Sequence, residues 1–118
     1  MTQPNIIFIT CDHLRADFLG CAGNSAIQAP HIDFLAERGT RFTQSYSATP
    51  VCVPARQMIL TGLTGHSLGL TCYQEGFEIP VRETLPRLMT GAGYQTSVVG
   101  KMHVYPERDH QGFENMLI

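Results

Sequence analysis

An α/β fold, with a mainly parallel sheet flanked by helices, is predicted by strand and helix patterns that alternate along the chain. Two strand patterns, residues 5–11 and 94–99, are separated by three helical patterns. The chain has 118 residues, which is enough for one domain with a hydrophobic core. It contains no internal repeat, low-complexity tract or linker, so we expect one domain or part of one.

The strand patterns end in polar residues. Residues 5–11 read N-I-I-F-I-T-C, a continuous apolar run typical of a strand covered on both faces, and Asp12 follows it. Residues 94–99 form the second strand pattern and lead into Gly100, Lys101, Met102 and His103. Residues 41–45 are a candidate short strand.

Proline and glycine delimit the helices. A first helix is predicted over Pro30–Arg38, with proline in its first turn and Gly39 at its C-cap. A second is predicted over about residues 55–60, between Pro54 and Gly62, and directly follows Cys52. A third is predicted over residues 83–92, and residues 67–80 are expected to be irregular.

Composition excludes several classes of function. The formal net charge is -2, with 43% hydrophobic and 15% charged residues, so no basic stripe predicts a nucleic-acid partner. No apolar run reaches the roughly 20 residues that span a bilayer, so no membrane partner is expected. The N-terminus lacks the features of a secretory signal, which predicts a cytoplasmic location. The four cysteines form no C-x-x-C pair, which argues against a structural zinc site.

The candidate functional residues are expected at one edge of the predicted sheet. Ligands of open parallel sheets bind beyond the carboxyl ends of the strands, where Asp12, Lys101 and His103 are expected. Cys52 precedes a helix whose free N–H groups favour an anion. Taken singly, each residue has a plainer interpretation: Asp12 as a cap, Cys52 as a buried small residue, and Lys101 and His103 as a solvated loop. The functional interpretation therefore depends on these residues lying together in one cleft.

The segment C-V-P-A-R at Cys52–Arg56 resembles the C-x-P-x-R signature of the sulfatases, members of the alkaline phosphatase superfamily. The resemblance extends in the family's order over nearly the whole chain. Residues 5–12 resemble its first strand and metal-binding aspartate, and A-P-H-I-D at 29–33 resembles a helix start. T-G at 61–62 with His66, G-K-M-H at 100–103 and G-F at 112–113 resemble later motifs.

This resemblance implies a sulfuric ester hydrolase. In the family the signature cysteine is oxidised by a separate maturation enzyme to formylglycine, whose hydrated aldehyde attacks the sulfur of a small-molecule sulfate ester. It implies that Cys52 is the nucleophile precursor and that Arg56 holds the hydrated aldehyde. By the same resemblance Lys101 binds a sulfate oxygen and His103 is the base of the elimination step.

The resemblance also implies a divalent metal, with calcium as the first expectation and manganese or magnesium as alternatives. Asp12 and the formylglycine from Cys52 would be ligands. Many sulfatases have two consecutive aspartates where this chain has Asp12-His13, whereas choline-sulfatase-like and phosphonate-hydrolase-like members have only one aspartate there, and some of these favour other metals such as manganese. His13 is therefore a further candidate ligand, although a loop histidine is the plainer interpretation.

Family members are several times longer, so the chain is expected to be the N-terminal portion of a sulfatase catalytic domain, inactive by itself. An incomplete sheet would expose an edge and favour self-association. Two alternatives remain: a phosphonate or phosphate ester hydrolase of the same superfamily, and a non-catalytic anion-binding or interaction fragment. A cysteine-phosphatase loop is disfavoured because it places its arginine six residues after the cysteine.

Overall fold

The computed structural model describes residues 3–118, which fall into two compact units, the first ending at residue 45 and the second covering residues 46–118. In the first, two short 3-10 turns, Ala16–Phe18 and Gly20–Ala22, precede helix α1, Pro30–Arg38. In the second, helices α2 (Cys52–Thr61), α3 (Gly65–Leu68) and α4 (Leu85–Gly91) precede strands β1 (Ser97–Val99) and β2 (Asn115–Leu117). β1 and β2 pair in parallel, with Ser97 opposite Asn115.

The first unit is organised around α1. Its bounds match the prediction, with Pro30 in the first turn and the Gly39 N–H bonded to the Leu35 carbonyl at 2.9 Å. The Asp33 carboxylate accepts a hydrogen bond of 2.6 Å from the Cys21 N–H, which fastens the second 3-10 turn to the helix. A Cβ at Gly20 would lie 2.4 Å from an oxygen of that carboxylate, so a larger residue there would displace the Asp33 side chain.

The predicted strand over residues 5–11 is not formed among the described residues. Ile7 is 85% exposed and Ile9 is 75% exposed, so the apolar run is covered on neither face. A strand is defined by its hydrogen-bonded partner, and the described residues pair no segment with this run. The prediction of a short strand over residues 41–45 is wrong for the same reason.

The core lies in the second unit. Met58 of α2 packs with Leu68 and Leu70, and the half-buried Phe77 and Val81 close over this cluster. By contrast, none of the described residues 3–45 is buried. A short segment can bury only a small fraction of its surface within itself, so burial is concentrated in the longer unit.

Helix α2 begins three residues earlier than predicted. Val51 is the extended N-cap, Cys52 is the first helical residue, and the Ala55 N–H bonds to the Val51 carbonyl at 3.0 Å. Pro54 fits because an N–H in the first turn has no partner within the helix. Gly62, at φ 68°, ends the helix in the left-handed conformation.

Threonines join α4 to the two strands. The Thr96 hydroxyl meets that of Thr90 in α4 at 2.9 Å and accepts the Glu114 N–H at 3.1 Å. In return, the Thr96 N–H donates to the Glu114 carboxylate at 2.9 Å. The buried Thr84, at the start of α4, donates to the Gln111 carbonyl. These bonds set the position of β1, from which the Lys101–His103 segment emerges.

Gly112 is predicted to be required for this packing. Its φ is +100°, and an added Cβ would lie 2.9 Å from the Arg87 backbone nitrogen in α4. Gly112→Ala should therefore destabilise the fold by about 2–5 kcal/mol, combining left-handed strain with overpacking. Denaturant unfolding monitored by circular dichroism provides the measurement.

Gly93→Ala is the matched control, because Gly93 has φ +89° and open space around its Cβ position. It should cost only the backbone strain, about 1–2 kcal/mol. Equal losses for the two variants would show that contact with α4 contributes nothing.

Candidate active site

The residues singled out from the sequence fall in both compact units. Asp12 and His13 lie in an exposed turn of the first unit, and His13 has a left-handed backbone at φ 60°. Cys52, Arg56, Lys101 and His103 all belong to the second unit. The predicted convergence of Asp12 with the other residues stays a prediction, whereas the four residues of the second unit can be compared directly.

Helix α2 has one buried face and one half-exposed edge. Val53, Pro54, Gln57 and Met58 are buried, whereas Cys52 and Arg56 are half-buried. Residues four apart in a helix are neighbours on its surface, with Cβ atoms about 5–6 Å apart. Cys52 and Arg56 therefore share one edge of α2. Cys52 also occupies the first helical position, beside the N–H groups that carry the positive end of the helix dipole.

Arg56 joins this edge to the segment that follows β1. Its Nη1 donates a hydrogen bond of 2.5 Å to the Lys101 carbonyl oxygen, across 45 positions of sequence. A charged donor makes a stronger hydrogen bond than a neutral one. The contact brings C-x-P-x-R and G-K-x-H, two motifs far apart in the sequence, to the same place in the second unit.

The segment after β1 alternates between buried and accessible residues. Met102 is 4% exposed and Val104 is 1% exposed, so both anchor the backbone in the protein interior. Lys101 is exposed, His103 is half-buried, and both line one open cleft. The apolar neighbours thus fix the backbone while the ammonium and imidazole groups remain accessible.

His103 has two unusual features. Its φ is 58°, a left-handed conformation that is uncommon outside glycine. Its Nδ1 is buried and has no hydrogen-bond partner among the described residues. Unpaired buried polar atoms and backbone strain cost free energy and concentrate at functional sites. Both features are consistent with a binding or catalytic role for this side chain.

A metal site is not assembled by the described residues alone. No group of three or more His, Cys, Asp or Glu side chains among residues 3–118 is placed to hold a metal ion. Asp12 is an oxygen donor of the kind that a hard cation binds, but it is a single carboxylate. A carboxylate is therefore the right type of ligand for such a cation, but one carboxylate is fewer ligands than the cation needs.

Two residues near the site were missed by sequence reasoning. Gln57 is fully buried and its Nε2 donates to the Phe77 carbonyl at 3.2 Å, which fastens the 71–80 loop to α2. A glutamine beside Met58 and Ile59 carries no sequence signal for that contact. Tyr105 lines the same cleft as Lys101 and His103. Its position two residues after the end of the G-K-x-H motif was the available signal.

Comparison with known proteins points to a single family. The sulfatase family model matches residues 4–118. The chain is 40% identical to an arylsulfatase of Clostridium perfringens over 98% of its length, and 37% identical, also over 98%, to an N-acetylglucosamine-6-O-sulfatase of Bacteroides thetaiotaomicron. It is 35% identical over 86% of its length to a mouse steryl-sulfatase.

A solved structure provides the corresponding fold. BT4656, in complex with its substrate D-glucosamine-2-N,6-O-disulfate, matches 98% of this chain with a TM-score of 0.83 and 35% identity. The match confirms the predicted α/β fold as that of the N-terminal portion of such a protein. The chain belongs to the sulfatase family.

The chain spans only part of these relatives. It covers 24% of the length of the Clostridium arylsulfatase, 20% of the Bacteroides sulfatase and 23% of the BT4656 chain. None of the helices formed by the described residues is both long and apolar enough to cross a membrane.

The Arg56 contact predicts a measurable local effect. Arg56→Met should remove the tie to the Lys101 carbonyl and raise amide hydrogen exchange in residues 100–104 about tenfold, as expected for loss of one charge-assisted bond. Mass-spectrometric hydrogen exchange measures this effect. Arg82→Met, at an exposed loop arginine of the same unit, is the control and should leave these residues unchanged. Equal protection in the wild type and Arg56→Met would contradict the assigned contact.

Proposed function

We propose that the protein containing these residues hydrolyses sulfate esters, with a formylglycine made from Cys52 as its nucleophile. One observation carries the proposal: the Arg56 hydrogen bond that brings the Cys52 edge of α2 to the Lys101–His103 segment. Family membership and the sulfatase names of the relatives support it. The organic part of the substrate is an alcohol or phenol, which leaves when the S–O bond breaks.

The chemistry follows from the residue types. Hydration of the formylglycine aldehyde gives two hydroxyl groups on one carbon. One oxygen attacks the sulfur and the alcohol departs, leaving sulfate covalently attached to residue 52. His103 then takes the proton from the second hydroxyl, the aldehyde C=O re-forms, and the bond from carbon to the sulfate oxygen breaks. A thiol has no second hydroxyl, so its adduct would depend on slow hydrolysis.

The basic groups have separate tasks. The positive end of the α2 dipole and the Lys101 ammonium offset the negative charge that gathers on the sulfate oxygens. The Arg56 guanidinium, already bonded to the Lys101 carbonyl, lies one helical turn from residue 52 and holds the hydrated aldehyde in place. The maturation enzyme that oxidises Cys52 is a required partner in this proposal.

A divalent metal completes the proposed site. Asp12 and the hydrated aldehyde would be its ligands, with calcium as the first expectation, manganese or magnesium as alternatives, and His13 as a further candidate ligand. Calcium takes about six to eight oxygen ligands, so most would come from outside these 118 residues. When bound, the metal supplies positive charge that polarises the attacking oxygen.

A phosphonate or phosphate ester hydrolase with the same nucleophile is the second candidate. The observation that favours it is the Asp12-His13 pair, where many sulfatases have two aspartates. A phosphate monoester carries up to two negative charges, against one on a sulfate monoester, so for that ester the number of carboxylates beside the metal bears directly on the choice.

The test uses the full-length protein, co-expressed with a formylglycine-generating enzyme. Oxidation of Cys52 should lower the mass of its peptide by about 18 Da, because sulfur and two hydrogens are exchanged for oxygen. The matured protein should hydrolyse p-nitrophenyl sulfate faster than p-nitrophenyl phosphate. Cys52→Ala should lower kcat by at least about a thousandfold, because the nucleophile is absent.

Cys72→Ala, at an exposed cysteine of the same unit, is the matched control and should retain activity. Preference for the phosphate ester would favour the second candidate. An unmodified Cys52 thiol in a folded protein without hydrolase activity would favour a non-catalytic anion-binding role.

A further inference from the structure

Gln57 is a polar side chain in the interior of the second unit. It is fully buried, and its Nε2 donates a hydrogen bond of 3.2 Å to the Phe77 carbonyl. Its Oε1 is also buried and has no hydrogen-bond partner among the described residues. An unpaired buried acceptor costs free energy, and a methionine of similar shape would fill this space without that cost. Packing alone therefore does not account for a glutamine here, whereas the hydrogen bond to Phe77 does.

This hydrogen bond attaches the 71–80 loop to α2. Residues 71–80 form no helix and only an isolated bridge, and Phe77 packs half-buried against the cluster around Met58. A loop with few contacts opens easily unless its backbone is tied to a rigid element. The Gln57 amide supplies such a tie, because α2 is fixed by its buried face.

The loop in turn contacts the segment that follows β1. Glu78 directly follows the residue bonded to Gln57 and forms an isolated parallel bridge with Tyr105. The Tyr73 hydroxyl lies 3.4 Å from that of Tyr105. The hydrogen bond between these hydroxyls is the largest of the effects that raise the pKa of Tyr105 to about 12, so the phenol stays protonated and the contact persists at neutral pH. Tyr105 is therefore held by the loop that Gln57 ties to α2.

Two neighbouring residues of α2 thus hold the segment after β1 at both ends. Arg56 bonds to the Lys101 carbonyl at 2.5 Å. Gln57 acts on Tyr105 through the loop. His103 lies midway between these attachments and has a left-handed backbone at φ 58°. A strained backbone of this kind persists only where the surrounding structure over-determines it, so both attachments bear on where the imidazole lies.

We propose that Gln57 is a positioning residue for His103. Its hydrogen bond to the loop keeps the backbone at His103 in the left-handed conformation and so keeps the imidazole directed at the second hydroxyl of residue 52. Gln57 itself touches neither the ester nor the nucleophile and acts only through the loop and Tyr105. The proposal rests on the proposed sulfate ester hydrolysis, in which His103 is the base of the elimination step.

The test uses Gln57→Met in the full-length matured protein and times both products of p-nitrophenyl sulfate. Attack on sulfur releases p-nitrophenol, whereas sulfate leaves only after His103 has taken the second proton. A misplaced base should slow sulfate release about 10- to 30-fold, so that p-nitrophenol appears in a burst and sulfate lags behind it. kcat and KM should fall together, whereas kcat/KM, which is set by the steps up to attack on sulfur, should change less than about threefold.

Partial unfolding would give a different pattern, because fewer active molecules lower the burst amplitude and kcat/KM together. The urea midpoint of Gln57→Met should shift by less than about 0.5 M, because methionine fills a similar volume. Gln57→Leu is a second variant that removes the same hydrogen bond. Gln74→Met, at an exposed position of the same loop, is the matched control and should leave the timing of both products unchanged.

Hydrogen exchange on the protein before maturation provides a measurement without turnover. Gln57→Met should raise amide exchange about tenfold in residues 77–79 and 103–105, because the tie between them and α2 is lost. Sulfate release that keeps pace with p-nitrophenol in folded Gln57→Met, or a parallel loss of kcat/KM and burst amplitude, would overturn the proposal.

The two measurements also separate this proposal from the proposed function. If the matured protein hydrolyses no sulfate ester and exchange still rises in residues 103–105, the proposed function fails and the tie through Gln57 stands. If hydrolysis occurs and Gln57→Met changes neither the timing of sulfate release nor the exchange, the positioning role fails alone.

Discussion

The candidate site depends on the hydrogen bond between the Arg56 guanidinium and the Lys101 carbonyl. Cys52 is at the start of α2 and His103 follows β1, so nothing in their local sequences holds one near the other. The bond spans 45 positions and connects the two elements directly. Buried Met102 and Val104 then fix the segment from the inside, while Gln57 ties the neighbouring loop to the same helix. The contacts that form the candidate site and the packing of the core are therefore parts of one arrangement.

Local signals were sufficient for α1 and, to within three residues at each end, for α2 and α4, whereas α3 lies partly in the stretch 67–80 that was expected to be irregular. Pro30 and Gly39 delimit α1, because proline fits a first turn and glycine suits the helix end, and the predicted bounds match. α2 was predicted to begin at residue 55, since Pro54 was taken as its start. Proline is tolerated throughout the first turn, so the helix instead includes Cys52. That shift matters because it places the cysteine on the same helical edge as Arg56.

Strands were harder to predict, because a strand requires a partner as well as its own pattern. Residues 94–99 were predicted, and Ser97–Val99 pairs with Asn115–Leu117, whose pattern had not been singled out. Residues 5–11 have the stronger apolar signal yet pair with nothing described, and Ile7 remains 85% exposed. The motif residues of the second unit were identifiable from spacing and resemblance. The contacts of Gln57 and Tyr105 were not, because they depend on how the 71–80 loop folds back.

Cross-linking tests the central claim most directly, because Lys101 is the sole lysine of the chain. A protein that keeps Cys52 as its only cysteine, expressed without the maturation enzyme, would be treated with a short maleimide–succinimidyl ester reagent. The account predicts a Cys52–Lys101 link by peptide mass mapping, and a weaker link when Arg56→Met loosens the segment. A folded protein in which both side chains react singly but form no link would contradict it.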